Sequence, residues 1–138
     1  NTSYTANGTL YAHWKAKPSV TIPAISKTGY TCTWNTSSDG NGTTYNAGDV
    51  TDKLNTQTLY AVCKVDTNTK YVVKHYKQKL DGTYPTEADD TDNLTGTTGA
   101  SITPAVKSYT GFTSPSVQTT TIKADGSTVV TYKYTRNK

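Results

Sequence analysis

The clearest strand signal lies near the C-terminal end, in the segment Ala124-Asp125-Gly126-Ser127-Thr128-Val129-Val130-Thr131-Tyr132-Lys133-Tyr134. Val130, Tyr132 and Tyr134 occupy alternate positions, so an extended chain places them on one face. The Asp-Gly pair before them is a turn signal. The pattern predicts a strand that leaves a turn, with one face packed and the other in water.

The composition extends this prediction to the whole chain. The 138 residues include 30 threonines and 11 tyrosines, but only five leucines and one glutamate. Straight-chain helix formers are therefore scarce, while β-branched and aromatic residues are common. We expect an all-β protein built as small consecutive antiparallel-sheet modules.

Charge and hydropathy exclude two classes of protein. The net charge is only +4. Of the 14 basic residues, 13 are lysines and only one is an arginine, the residue that binds nucleic-acid phosphates in bidentate fashion. The longest apolar runs, such as Tyr71-Val72-Val73, are far shorter than the roughly 20 residues of a membrane-spanning helix. We expect no nucleic-acid partner and no membrane insertion.

A tandem repeat organises the first half of the chain. Thr9-Leu10-Tyr11-Ala12 recurs as Thr58-Leu59-Tyr60-Ala61. Residues 1–15 then read as the tail strand of a preceding repeat, residues 16–65 as one β module, residues 66–69 as a polar linker and residues 70–138 as a second β module. The chain begins at Asn1 without a leader, which indicates a piece of something longer.

Residues 16–65 resemble the internalin-type B-repeat, also called the Listeria-Bacteroides repeat, of Gram-positive surface proteins. The resemblance rests on Gly29-Tyr30-Thr31-Cys32-Thr33-Trp34, Asp39-Gly40-Asn41-Gly42, Ala47-Gly48-Asp49 and Thr58-Leu59-Tyr60-Ala61. The chain departs from the family at Cys32 and Cys63, where aromatic residues are usual. The leading strand and hairpin also look abbreviated.

Residues 70–136 are similar, more loosely, to mucin-binding-type (MucBP-like) surface modules. The shared elements are an opening strand over Tyr71 to Tyr76, Leu80-Asp81-Gly82, Leu94-Thr95-Gly96-Thr97-Thr98-Gly99, Tyr109-Thr110-Gly111-Phe112 and a closing strand over Val130 to Tyr134. Together the resemblances imply a secreted or wall-attached bacterial protein with β-grasp-like domains, for which an α+β fold is the alternative to an all-β one. They imply a non-catalytic stalk or spacer that can also serve in adhesion. The alternatives are a module that binds host glycan or mucin, or an accessory domain of a secreted enzyme. The implied partners are neighbouring repeats of the same polypeptide.

Cys32 and Cys63 are the only cysteines. Each replaces a bulky residue at an inward-facing strand position, and the implied oxidising location favours a disulfide between them. Two buried free thiols, packed as small hydrophobic groups, are the alternative. Without a Cys-x-x-Cys pair, a zinc site is not expected.

Catalytic and cofactor sites are not expected. His13 and His75 are the only histidines, and neither lies in a recognisable arrangement with a nucleophile or an acidic partner. Glu87, Asp89, Asp90 and Asp92 form the only acidic cluster; Asp89, Asp90 and Asp92 are weak candidates for Ca²⁺ ligands, but an exposed loop explains the cluster more simply.

Two further hypotheses concern the second module. A lysine of its first strand (Lys70 or Lys74) could form an isopeptide bond with Asn137, with Glu87 as the proton shuttle, although Asn137 lies at a fraying end. Tyr71, Tyr76, Tyr109 and Tyr134 could contact a glycan through their ring faces if several were coplanar and exposed. Core or half-buried strand positions are the simpler interpretation of these tyrosines.

Overall fold

A computed structural model describes residues 18–54 and 57–138. The secondary structure of these residues is all β, with no helix, which confirms the predicted fold class. The predicted tail strand over residues 1–15 lies outside the described residues. The eleven strands are β1 (Val20–Thr21), β2 (Tyr30–Asn35), β3 (Thr44–Tyr45), β4 (Val50–Thr51), β5 (Tyr60–Val65), β6 (Thr69–Lys77), β7 (Asp90–Gly96), β8 (Ser101–Ile102), β9 (Phe112–Thr113), β10 (Thr120–Thr121) and β11 (Thr128–Arg136).

Strands β1 to β5 pair only with one another, and strands β6 to β11 do likewise. We call residues 18–65 the first module and residues 69–138 the second module. In the first module, β2 lies between β3 and β5 in an antiparallel sheet, and β1 pairs with β4. Ile22, directly after β1, is only 2% exposed, and the Trp34 indole on β2 donates to the Pro23 carbonyl. These contacts hold the segment after β1 against the sheet.

A buried asparagine organises the loop between β2 and β3. Asn35 is 1% exposed, and its amide nitrogen donates to the carbonyl oxygens of Gly40 and Gly42 and to the Thr44 hydroxyl. Its side-chain oxygen accepts from the backbone N–H groups of Ser37 and Gly42. This one side chain satisfies loop backbone groups that make no hydrogen bonds with other backbone atoms, so it holds the loop in one shape.

The second module contains a four-stranded sheet in the order β7-β6-β11-β9. Its two central strands, β6 and β11, are parallel and pair from Tyr71 with Thr128 to Lys77 with Tyr134. The expectation of purely antiparallel sheets is therefore wrong for this module. The long connection between β6 and β11 brings the last strand back beside the first in the same direction, which a tight hairpin cannot do.

The core of the second module lies on one face of this sheet. Val73, Val130, Tyr132 and Tyr134 are buried, while Val129 and Lys133 at alternate positions of β11 are exposed. The predicted alternation along the last strand is confirmed. Tyr71, Val106, Tyr109 and Phe112 pack against this core from the first strand and from the long connection.

Strand β7 was not predicted, because its sequence Asp90-Thr91-Asp92-Asn93-Leu94-Thr95-Gly96 has no strand-like composition. It is an edge strand that pairs on one side only, with β6. The apolar segment Val106 to Phe112 contains a single strand residue, Phe112. Its hydrophobic residues cover the sheet as a loop.

Asp66 joins the two modules through hydrogen bonds in both directions. Its N–H donates to the Gly29 carbonyl, its carbonyl accepts from the Thr98 N–H, and its carboxylate accepts from the Thr31 hydroxyl. Gly29 has a φ of 78°, and a Cβ placed there would lie 2.7 Å from the Ala124 Cβ. The predicted linker is thus a tightly packed joint in which only glycine fits at position 29.

Candidate functional site

The inner face of the second module carries a row of linked polar side chains on β6, β7 and β11. His75 on β6 has no exposed surface; its Nδ1 lies 2.8 Å from the Tyr134 hydroxyl and its Nε2 lies 3.1 Å from Asp92 Oδ2. The tautomer with its proton on Nε2 suits both neighbours, because Nε2 then donates to the carboxylate and Nδ1 accepts from Tyr134. The Tyr134 oxygen also accepts from the Lys107 N–H.

Lys107 completes the row from the long connection. Its Nζ lies 2.7 Å from Asp90 Oδ2 and 2.6 Å from Asp92 Oδ1. Hydrogen bonds from Lys107 lower the pKa of both aspartates, and the same bonds raise the pKa of Lys107 itself. Burial, followed by its hydrogen bond to Asp90, raises the pKa of Tyr109 to about 12. We call Tyr134, His75, Asp92, Lys107, Asp90 and Tyr109 the polar row.

The polar row superficially has the composition of a hydroxyl–histidine–carboxylate relay. A nucleophile must reach its substrate, however, and the Tyr134 side chain has no exposed surface. Every buried side-chain nitrogen and oxygen among the described residues already has a hydrogen-bond partner. The geometry suits a structural cross-link between the sheet and its covering loop.

Neither His75 nor Lys107 was assigned this role from the sequence. The expectation that His75 has no acidic partner is wrong, because Asp92 on β7 pairs with Val73, two residues before His75 on the same face of β6. The alternation of Asp90 and Asp92 was a usable signal, since it places both carboxylates on one strand face. Lys107 lies in a loop, and no periodic pattern in the sequence predicts which part of the sheet a loop residue contacts.

The predicted disulfide is present. Cys32 on β2 and Cys63 on β5 are directly paired across the antiparallel ladder, with a Cα–Cα distance of 4.0 Å, and their sulfurs are bonded. The same ladder pairs Trp34 with Ala61, so the cysteines share a sheet face with the indole. A disulfide is compatible with an extracellular location, because cytosolic thiols are normally kept reduced.

The four tyrosines considered for glycan contact do not form one surface. Tyr134 is fully buried, and the Tyr109 ring packs on it edge-to-face with the centroids 4.8 Å apart. Tyr71 packs against the same core. Tyr76 lies on the opposite face of β6, because it alternates with His75 and Lys77. Three of the four are thus core aromatics and Tyr76 lies on the other face of the sheet, so together they form no exposed stacking platform.

The acidic cluster has internal cations as partners. Asp90 and Asp92 converge on Lys107, while Asp89 accepts from the backbone N–H of Lys77 and lies 3.9 Å from its Nζ. Among the residues with described positions, no group of three potential metal ligands converges. The position between Asp90 and Asp92 that a bound cation would take is the position of the Lys107 ammonium.

The residues of the isopeptide hypothesis lie far apart. Lys74 pairs with Thr131 across the sheet, and Asn137 lies six residues farther along that strand direction, roughly 20 Å away at the usual rise per residue. Lys70 is more distant still. The Asn137 side-chain oxygen instead accepts from the Thr113 hydroxyl.

No protein-family model matches the sequence, and no curated protein or solved structure is detectably similar to it. Within residues 18–54 and 57–138, no helix is long and apolar enough to cross a membrane. The physical properties of the two modules are therefore the basis for any functional proposal.

Proposed function

We propose that this chain is a non-catalytic spacer, or stalk segment, of a secreted or wall-attached bacterial surface protein, and that it carries tension along its length. The observation that supports this most directly is the parallel pairing of β6 and β11, the first and last strands of the second module. The B-repeat-like and MucBP-like motifs of the sequence agree with such a role.

Parallel terminal strands resist extension because tension applied to the chain loads them in shear. The chain enters the second module at the beginning of β6 and leaves it at the end of β11, so tension pulls these neighbours along their axes in opposite directions. The hydrogen bonds between β6 and β11 run across the strand axes, so all of them bear the tension at the same time. Antiparallel neighbours joined in a hairpin would instead open one bond at a time.

The disulfide protects the first module in a different way. Tension entering before Cys32 passes through the bond to Cys63 and on to Val65, so residues 33–62 are excluded from the loaded path. An oxidised first module can therefore lengthen only through the residues outside that loop. The load then passes through the backbone of residues 66–68 into β6, and the bonds of Asp66 to Gly29 and Thr98 hold this short connection against both modules.

Single-molecule pulling in two directions tests this proposal. Handles at Asn68 and Asn137 load β6 and β11 in shear, whereas handles at Asn68 and Ser127 pull at the same end of both strands and peel them apart. We expect the second module to unfold at a several-fold higher force in the first geometry. Equal forces in both geometries would remove the mechanical basis for the spacer role.

A further inference from the structure

A small pocket lies where the parallel strands β6 and β11 end. It has a volume of about 310 Å³, and its lining includes Lys77, Gln78, Lys79, Pro85, Phe112 and Arg136. Since both strands run in the same direction, their last residues reach the same edge of the sheet, which brings Lys77 and Arg136 together there. We call this the basic pocket.

Arg136 is held in a fixed position in the basic pocket. Its Nε donates to the Gln78 carbonyl, its N–H donates to the Gln78 side-chain oxygen, and its guanidinium carbon lies 4.8 Å from the centroid of the Phe112 ring. Within the described part of the chain, its terminal nitrogens have no hydrogen-bond acceptor and no carboxylate partner. The Nε of this guanidinium is already bonded, while its two terminal nitrogens remain free to donate. Such a group can bind a carboxylate or sulfate in bidentate fashion.

The charges around the pocket favour an anion. Lys79 forms no ion pair with any described carboxylate, and its backbone is held beside the pocket by a turn in which its N–H donates to the Thr83 carbonyl. Asp89 is the one acidic residue of the lining, and its oxygens already face the N–H and Nζ of Lys77. Three cations against one engaged carboxylate leave the pocket positive.

The shape of the pocket sets the size of the anion. A volume of about 310 Å³ is at the lower end of the range for small-molecule sites, yet it exceeds the size of an isolated carboxylate or sulfate. Phe112 and Pro85 add apolar wall beside the cations, and such walls suit the C–H faces of a compact ring. We propose that the basic pocket binds a ring-borne carboxylate of the size of one acidic sugar residue. This inference does not depend on the spacer role, and either can fail alone.

Amide chemical-shift titration of the oxidised chain with sodium glucuronate tests the site. Glucose is the matched neutral ligand because it lacks only the carboxylate function, and sodium acetate supplies the carboxylate without the ring. We expect glucuronate to shift the amides of Gln78, Lys79, Phe112 and Arg136, with glucose inert and acetate much weaker. Added salt should weaken the binding, because the pocket is open to solvent.

Lys79→Gln is the informative variant, because its exposed side chain makes no contact on which folding depends. It should weaken glucuronate binding about 3- to 10-fold, the effect of losing one partly screened charged contact. Lys64→Gln, on an exposed position of β5, removes the same charge elsewhere and should leave the affinity unchanged. The proposal is overturned if glucuronate shifts none of these amides, if glucose or acetate binds as well as glucuronate, or if both variants behave alike.

Discussion

His75 Nδ1 lies 2.8 Å from the hydroxyl oxygen of Tyr134 on the neighbouring parallel strand, and neither side chain has exposed surface. The same oxygen accepts from the Lys107 N–H, so one hydroxyl ties β6, β11 and the covering loop together. Such a group is worth more than one ordinary hydrogen bond, because its removal leaves both the buried His75 ring nitrogen and the partly buried Lys107 N–H without this partner.

Tyr134→Phe should therefore destabilise the second module by about 1–3 kcal/mol while preserving its aromatic packing. Urea unfolding followed by a signal of the second module measures the change. Tyr76→Phe is the matched control, since its hydroxyl has no hydrogen-bond partner among the described residues and the ring remains. Equal stabilities of the two variants would show that the polar row contributes nothing to folding.

Alternation explains which parts of the fold could be predicted from the sequence. The strands over Tyr30–Asn35, Tyr60–Val65 and Thr128–Arg136 each place hydrophobic or aromatic side chains at every second position, and each occurs in the structure. The disulfide followed from two such faces. Strand β7 could not be found from hydrophobic alternation, because its inward residues are the partly exposed Asp90 and Asp92, which pair with the distant Lys107.

The direction of β11 was beyond the reach of local patterns. Parallel and antiparallel strands share the same alternation, so the side chains of β11 identify its buried face without identifying its neighbour. The position of Asn35 illustrates the same limit, because a lone asparagine beside Asp39-Gly40 looks like one more turn residue. Its burial becomes evident only when the loop folds back over it.

Lys107→Gln should make the second module less stable at neutral pH, because Asp90 and Asp92 would then face each other without the cation between them. Their folded pKa values are lowered, mainly by the bonds from Lys107. In the unaltered chain, this contribution is present above the usual carboxyl pKa of about 4 and is lost as the pH falls through the lower folded values.

Urea unfolding at pH 7 and at pH 3 measures this difference. The deficit of Lys107→Gln should be greater at pH 7 than at pH 3, because the stabilising contribution falls as the pH drops towards the lowered carboxyl pKa values. Lys74→Gln, which removes a lysine from the opposite face of β6, serves as the control and should show little deficit at either pH. A Lys107→Gln deficit that stays constant with pH would contradict an electrostatic role.

Reduction of the Cys32–Cys63 bond should destabilise the first module by about 3–4 kcal/mol in the chain-entropy model, which is a large fraction for so small a unit. Under tension it should also release residues 33–62, adding about 100 Å to the extended length. Pulling experiments with and without reductant measure both effects. An unchanged length would mean that the disulfide does not carry the load.

Gly29→Ala should loosen the joint between the modules as well as strain the first module. Gly29 and Gly48 both have positive φ values, 78° and 86°, so an alanine at either position costs about 1–2 kcal/mol of backbone strain. A Cβ at position 29 would also collide with Ala124 and Thr98, whereas a Cβ at position 48 meets nothing within 4 Å. The short Ala124 side chain cannot rotate away from the added methyl group.

Gly48→Ala is therefore the matched control, with the same local strain and no contact across the joint. Backbone ¹⁵N relaxation compares how the two modules tumble. We expect the modules of the Gly29→Ala variant to reorient more independently, with weaker protection of the Asp66 and Thr98 amides from hydrogen exchange, while Gly48→Ala retains the coupling of the unaltered chain. If both variants tumble like the unaltered protein, the close approach at Gly29 does not set the stiffness of the joint, and the bonds of Asp66 suffice.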